Sequence, residues 1–395
     1  MEPTSGNHKG GRVRVLDGLR GVAILLVVAA HSGWPIAKLG GTCGVRLFFV
    51  LSGFLITQLL HAELDQTGRL SYLRFYQRRA LRLLPALLLL LAMYVPTTFL
   101  LGESAQAIAQ ATLASLFYFN NLTVLIPGWS TAYLGHLWSL SMEEQFYLLW
   151  PALLVLLLAS GRKWSLYLVL AVAIGSLIDR FSFGWSDAMA FKYAYFLPLP
   201  NAWALLLGAA LAMALRRGLR AASSPWIGAS ALTGLLLTSS VLGLIHGLHS
   251  GNIYGIRLVS GPVAGAFSVV LLWAVTTRQT RLNTLLEHRW LVFFGTISYG
   301  LYLWHSLLAA MLAELVPGGE VVNVVRSSSA AVLAVGAAWL SFVYIETPFL
   351  RWKRSFATVE LDPLATDAYM ERQGGGAKLW RSMPLLEYDR GPSAQ

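Results

Sequence analysis

Apolar runs of about 20 residues, the length a helix needs to cross the hydrocarbon core of a bilayer, recur along this chain between short polar intervals. They fall at Gly18–Ser32, Val45–His61, Leu81–Leu101, His136–Ala159 and Leu166–Asp179, then at Tyr193–Leu215, Trp226–His246, Ile256–Thr276, Leu291–Ala313 and Ser328–Glu346. The first and fifth are short, and Leu113–Leu125 is a marginal further stretch with the character of a re-entrant or interfacial segment. The pattern predicts an all-α integral membrane protein, a single bundle of about ten transmembrane helices. It divides the chain into a polar leading segment (1–15), a membrane domain (16–350) and a polar tail (351–395) that contains three consecutive glycines at 374–376.

Composition agrees. The 395 residues are 56% apolar and 12% charged, with mean hydropathy +0.59, whereas a soluble domain carries about a quarter charged residues. A net charge of +11 would suggest nucleic acid in a soluble protein. Here the basic residues sit in short loops, so orientation in the membrane explains them and no nucleic-acid partner is expected. Arg12 and Arg14 precede the first span, and Arg69, Arg74, Arg78, Arg79 and Arg82 join the second to the third. Further clusters are Arg162–Lys163, Arg216–Arg220, Arg278–Arg289 and Arg351–Arg354, and they alternate with loops poor in positive charge such as 102–135 and 317–325. With ten spans, the positive-inside rule puts both termini in the cytoplasm. Cys43 is the sole cysteine, which excludes an intrachain disulfide and a cysteine metal cluster. No small-residue cleavage site follows the first apolar run, which reads as a retained helix rather than a signal peptide. No internal repeat suggests a two-fold transporter architecture.

The chemistry lies in polar residues within these spans. In Leu16–Ser32, Asp17 and Arg20 stand at one end and His31 at the other. Arg20 and His31 are eleven positions apart, which returns them to one helix face about 16 Å apart along the axis. Such residues are costly in lipid and should face a cavity or a partner. His31 reads either as a packed, satisfied histidine or, held neutral by burial, as a general base for a hydroxyl. In residues 135–151, His136 and Glu143 share a face, while adjacent Glu143 and Glu144 cannot both address one cavity. A carboxylate there could orient an imidazole, bind an acceptor hydroxyl, or pair with an arginine of another span. Arg78, Arg79 and Arg82, at the entrance of the third span, read as ordinary anchoring or as a phosphate site, since guanidinium forks match phosphate oxygens. Beside Arg20 they would suit a donor such as a coenzyme A thioester.

Six stretches in order carry a resemblance: LDGLRGVAILLVVAAH (16–31), FFVLSGFLI (48–56), RRALRLLP (78–85), HLWSLSMEEQFYLLWP (136–151), ISYGLYLWH (297–305) and YIETP (344–348). Together they closely resemble the acyltransferase-3 family of integral membrane acyltransferases, over about residues 12–354. The resemblance implies ten helices and transfer of an acyl group from acyl-CoA, entering from the cytoplasm, to a hydroxyl. It makes His31 the base, Arg20 a donor-binding or orienting group, Arg78, Arg79 and Arg82 the basic motif, and Glu143 the carboxylate. His136, Ser139, Ser141, Tyr299, Tyr302, His305 and Glu346 sit at motif positions without an assigned role.

In many members the sixth span carries an arginine and, two residues on, an acidic residue; here Asn201 and Trp203 stand at those positions. That replacement favours a bulky, partly apolar acceptor. Together with an arginine-rich, alanine- and leucine-rich composition of the GC-rich bacterial kind, and no hydrolase-like domain after the membrane part, it resembles the macrolide acyltransferases of actinomycetes. A cell-surface glycan is the alternative acceptor. The expectation is therefore a plasma-membrane O-acyltransferase with no tightly bound cofactor and no metal. Its partners are acyl-CoA, a hydroxyl-bearing small molecule or glycan, and membrane lipid. A polytopic transporter using Arg20, His31 and Glu143 as a solute or proton path is the competing class.

Overall fold

A computed structural model describes residues 8–32, 37, 39–159, 162–183, 188–248 and 254–354; the tail read from the sequence, from residue 355 onward, lies outside them. Among the described residues every regular element is helical. In chain order they are α1 His8–Ala30, α2 Gly40–Thr67, α3 Tyr72–Leu100, α4 Ala105–Leu116, α5 Trp138–Ala159, α6 Arg162–Phe183, α7 Ala188–Phe196 and α8 Ala202–Arg216. They continue as α9 Ile227–Leu248, α10 Tyr254–Thr277, α11 Arg281–Leu286, α12 Arg289–Thr296, α13 Ser298–Leu315, α14 Glu320–Ser341 and α15 Thr347–Arg354.

Eight of the described helical stretches are long and apolar enough to cross a membrane, nine if the bent pair α12–α13 is one span. The protein is an integral membrane helical bundle. α1 stands outside that count because Arg14, Asp17 and Arg20 interrupt its apolar run. The marginal stretch Leu113–Leu125 is not one element. It divides between the end of α4, capped at its start by Ser104 accepting from the Ala107 amide, and a short 3₁₀ turn at Thr123–Leu125.

α2 is the central post. Most of its apolar window, 78%, is inside the protein, against 22% for that of the stretch Val322–Trp352, and α1, α5, α8, α9 and α10 all pack on it. Lipid gives no hydrophobic drive between helices, so small residues that let backbones approach set the crossings. At the α2–α8 crossing Gly53 lies against the Leu205 carbonyl and Gly208 against that of Val50; a side chain at either would strike backbone. The outer faces are apolar toward lipid, as Leu88, Phe99, Leu148, Leu149, Leu156 and Ile178 show.

Two irregularities place polar groups inside. The chain bends by 72° between α12 and α13, which turns Ser298, Tyr299 and Tyr302 into the bundle. A π-helical turn, Phe342–Glu346, joins α14 to α15 and buries Glu346. Such turns are frequent at functional sites.

Candidate active site

Two cavities meet inside the bundle. The larger, about 680 Å³, is lined by His31, His136, His305, Thr42, Tyr195 and Arg257, with Asn120, Thr123 and Thr131 from the segment between α4 and α5. The smaller, about 100 Å³, is lined by Arg20, Arg79, Arg82, Glu143, Glu144 and Tyr147, among others. Val45 and Tyr302 line both. Tyr302 is therefore the partition between a histidine chamber and an arginine chamber.

The partition is fixed by hydrogen bonds. The Tyr302 hydroxyl lies 2.6 Å from the carbonyl of His136 and 2.6 Å from Ser139 Oγ. A carbonyl only accepts, so the Tyr302 proton goes to His136 O and Ser139 donates to Tyr302. Tyr299, one turn earlier on α13, donates to the Leu83 carbonyl at 2.9 Å and lines the arginine chamber.

In the histidine chamber His31 follows the last turn of α1. Its Nδ1 is 2.9 Å from Val27 O, His305 Nδ1 is 2.8 Å from Tyr302 O, and His136 Nε2 is 3.2 Å from Leu303 O. Each of these nitrogens donates to a carbonyl, so an imidazole carrying one proton offers its other nitrogen as an acceptor; His31 itself is exposed to the cavity rather than held by burial. The rings are close: His31 to His305 has centroids 4.7 Å apart and His136 to His305 5.1 Å. His136 Nδ1 and His305 Nε2 are buried with no protein partner. Among the described residues no group of His, Cys, Asp and Glu is arranged to hold a metal ion. The trio is instead a set of hydrogen-bond acceptors, suited to a ligand that brings hydroxyls.

The arginine chamber is an ion-paired wall with one guanidinium left over. Arg20 pairs with Asp17 at 3.0 Å. Arg79 pairs with Glu144 at 2.9 Å, its guanidinium 3.6 Å above the Tyr147 ring. Arg82 lines the cavity with no ion pair within 4.0 Å among the described residues. Arg78 is elsewhere: it pairs with Glu63 at 3.0 Å, and that carboxylate also accepts from the Ser71 amide at 2.9 Å, joining the end of α2 to the start of α3.

Several sequence expectations change in detail. Arg20 lies on α1 whereas His31 sits in the turn just beyond its end, and the two line different chambers. Glu143 lies in the arginine chamber and does not orient an imidazole; the Val27 carbonyl holds His31 instead. Ser141 ties the α4–α5 segment down, accepting from the Asn120 amide and donating to Leu137 O. Glu346 accepts from Ser341 at 3.3 Å outside both chambers. Asn201 and Trp203 are both 1% exposed and line neither cavity. They are packing residues, so the argument from Trp203 for an apolar acceptor fails. Thr42, Tyr195 and Arg257 were not foreseen as lining residues. Of these, Arg257 carried a readable signal, a charge inside an apolar span.

A chamber lined by three histidines lies beside a guanidinium-rich chamber within a membrane helical bundle. The chain belongs to the acyltransferase-3 family, whose acyltransferase domain it matches over residues 13–344. It is similar to the peptidoglycan O-acetyltransferase OatA of Listeria monocytogenes, 29% identical over 84% of this chain and 55% of that protein. It is also similar to the O-acetyltransferase OatA of Staphylococcus aureus, 30% identical over 84% of this chain and 56% of that one. The chain thus spans little more than half the length of these relatives. No solved structure matches it.

Proposed function

We propose that this protein is an O-acetyltransferase of a bacterial plasma membrane, moving an acetyl or similarly short acyl group from a coenzyme A thioester to a hydroxyl of a cell-surface glycan. Both termini face the cytoplasm in this reading. The observation that carries it is the set of imidazoles, each tied by one N–H to a backbone carbonyl, with His31 opening onto a cavity next to the arginine chamber. The larger cavity falls within the range of about 300–1,000 Å³ usual for small-ligand sites. The smaller one has room for a short acyl group, whose carbonyl would meet the acceptor hydroxyl at the boundary that Val45 and Tyr302 share. The donor's phosphates would meet Arg82 and its neighbours from outside it.

His31 Nε2 takes the proton of the acceptor hydroxyl. The oxygen attacks the thioester carbonyl, the C–S bond breaks, and the imidazolium returns its proton to the departing thiolate. His136 and His305 accept from hydroxyls flanking the reacting one. A glycan replaces the macrolide-type acceptor as the preferred ligand. Three acceptor nitrogens in one polar chamber suit a polyol, the Trp203 argument no longer stands, and a relative is named for peptidoglycan.

The test is thiol release from acetyl-CoA by the purified protein in detergent, with peptidoglycan fragments, a macrolide panel, or no acceptor, and mass spectrometry of the products. O-acetylated glycan with stoichiometric thiol is expected. Acylated macrolide without acylated glycan overturns the acceptor. Ligand movement across proteoliposomes with no covalent product overturns the enzyme in favour of a transporter.

A further inference from the structure

Arg46 of α2 and Arg180 of α6 are 1% and 0% exposed, and no carboxylate lies within 4.0 Å of either among the described residues. Both donate to the same atom, Asn201 Oδ1, at 2.7 and 2.9 Å. Asn201 is locked in that orientation because its Nδ2 is directed at the carbonyls of Ala194, Tyr195 and Leu197. Sharing one neutral oxygen forces the two guanidinium groups side by side. Arg180 gains the carbonyls of Ala194 and Leu258, and Arg46 lies 5.4 Å from the ring centres of both Phe49 and Trp203. These dipoles and rings soften the charges without cancelling either.

Donors remain. Arg46 Nε and NH1 and Arg180 NH2 are buried with no acceptor. Gly261 of α10 faces two of them: a Cβ there would stand 3.1 Å from Arg46 Nε and 3.5 Å from Arg180 NH2. Arg20, Arg78, Arg79 and Arg216 each have a carboxylate partner. Two like charges sealed among membrane helices require compensation, and buried donors without acceptors carry a desolvation cost of their own.

We propose that Arg46 and Arg180 bind one small monovalent inorganic anion of chloride type, which neutralises part of this buried charge and ties α2, α6 and α10 together. Neither arginine lines either chamber, and the close approach of Gly261 to both guanidinium groups suits a small ion rather than a larger ligand. The site lies directly behind the histidine chamber: Tyr195, whose carbonyl accepts from Asn201, lines that chamber and meets Thr42 at 3.3 Å. Its role is structural support for the chamber wall.

The experiment is thermal unfolding of the whole protein in detergent, in chloride and in gluconate at constant ionic strength. Chloride and bromide should raise the midpoint saturably, by roughly 2–4 °C, and gluconate should not. Asn201→Asp supplies an internal carboxylate and should unfold at one midpoint in all three salts. Equal midpoints for the wild type in chloride and gluconate overturn the proposal, as does an undiminished chloride increment in N201D. Should N201D fail to fold, soaking wild-type crystals with bromide decides: an anomalous peak between the two guanidinium groups supports the site, and its absence refutes it.

Discussion

Replacing Tyr302 with Phe keeps the ring that separates the two chambers and removes only its hydroxyl. That hydroxyl makes two contacts of 2.6 Å, donating to the His136 carbonyl and accepting from Ser139. A typical intramolecular hydrogen bond is worth about 1 kcal/mol net, and a buried partner left unsatisfied adds to the loss. The change should therefore cost about 2–4 kcal/mol. Ser139→Ala removes one of the two bonds and should cost about 1 kcal/mol. Because the Ser139 bond is already broken in the Tyr302 variant, the double variant should be little worse than Tyr302→Phe alone, leaving a coupling of about 1 kcal/mol. Denaturant unfolding of the three variants in one detergent gives the cycle. Additive losses would refute the hydrogen-bond chain and with it the view that Tyr302 is a fixed wall. Since the same chain holds the His136 backbone, turnover should fall in Tyr302→Phe while KM for acetyl-CoA changes little.

Three further outcomes follow from the same geometry. Arg82→Gln removes the guanidinium left without a carboxylate in the arginine chamber, and steady-state kinetics should show KM for acetyl-CoA rising about 10-fold or more, the worth of a charge-assisted hydrogen bond to phosphate. Glu144→Gln leaves Arg79, whose side chain is 21% exposed, without its ionic partner at 2.9 Å and should lower unfolding stability by about 1–2 kcal/mol, with Arg79→Met/Glu144→Met recovering part of it. Burial raises the Glu287 carboxyl above its ordinary value, against the pull of Arg14. The folded chain then holds that proton more tightly than the unfolded one, so the Glu287 contribution favours folding at acid pH and is lost as pH rises through the window above about 4.5. A pH series of unfolding midpoints should show that slope flattened in Glu287→Gln.

The sequence made the apolar architecture readable because lipid imposes one rule, about 20 apolar residues per crossing. Polar residues inside spans were the second readable signal, and His31, His136, Arg20, Arg79 and Glu143 all line one chamber or the other. Helix periodicity could not show that Arg20 and His31 serve different chambers. The separation comes from Tyr302, which reaches the site only because the chain bends between α12 and α13. Nor could it assign Glu143, whose surroundings are supplied by α2 and α3. Asn201 and Trp203 misled for a related reason. A departure from a family pattern suggests a change in ligand, whereas both residues pack against the Arg46 guanidinium away from either cavity. Arg46 and Arg180 carry the same intramembrane-charge signal as Arg20, but no motif surrounds them to give it a meaning.

In the proposed reaction the His31 imidazole, held by the Val27 carbonyl, is the base that activates the acceptor hydroxyl. The most direct measurement is acceptor-dependent thiol release from acetyl-CoA by His31→Ala, alongside the wild type and a binding assay for the donor. kcat should fall about 10²–10⁴-fold with donor affinity and folding unchanged. Turnover within about threefold of the wild type, on a folded His31→Ala protein, contradicts it.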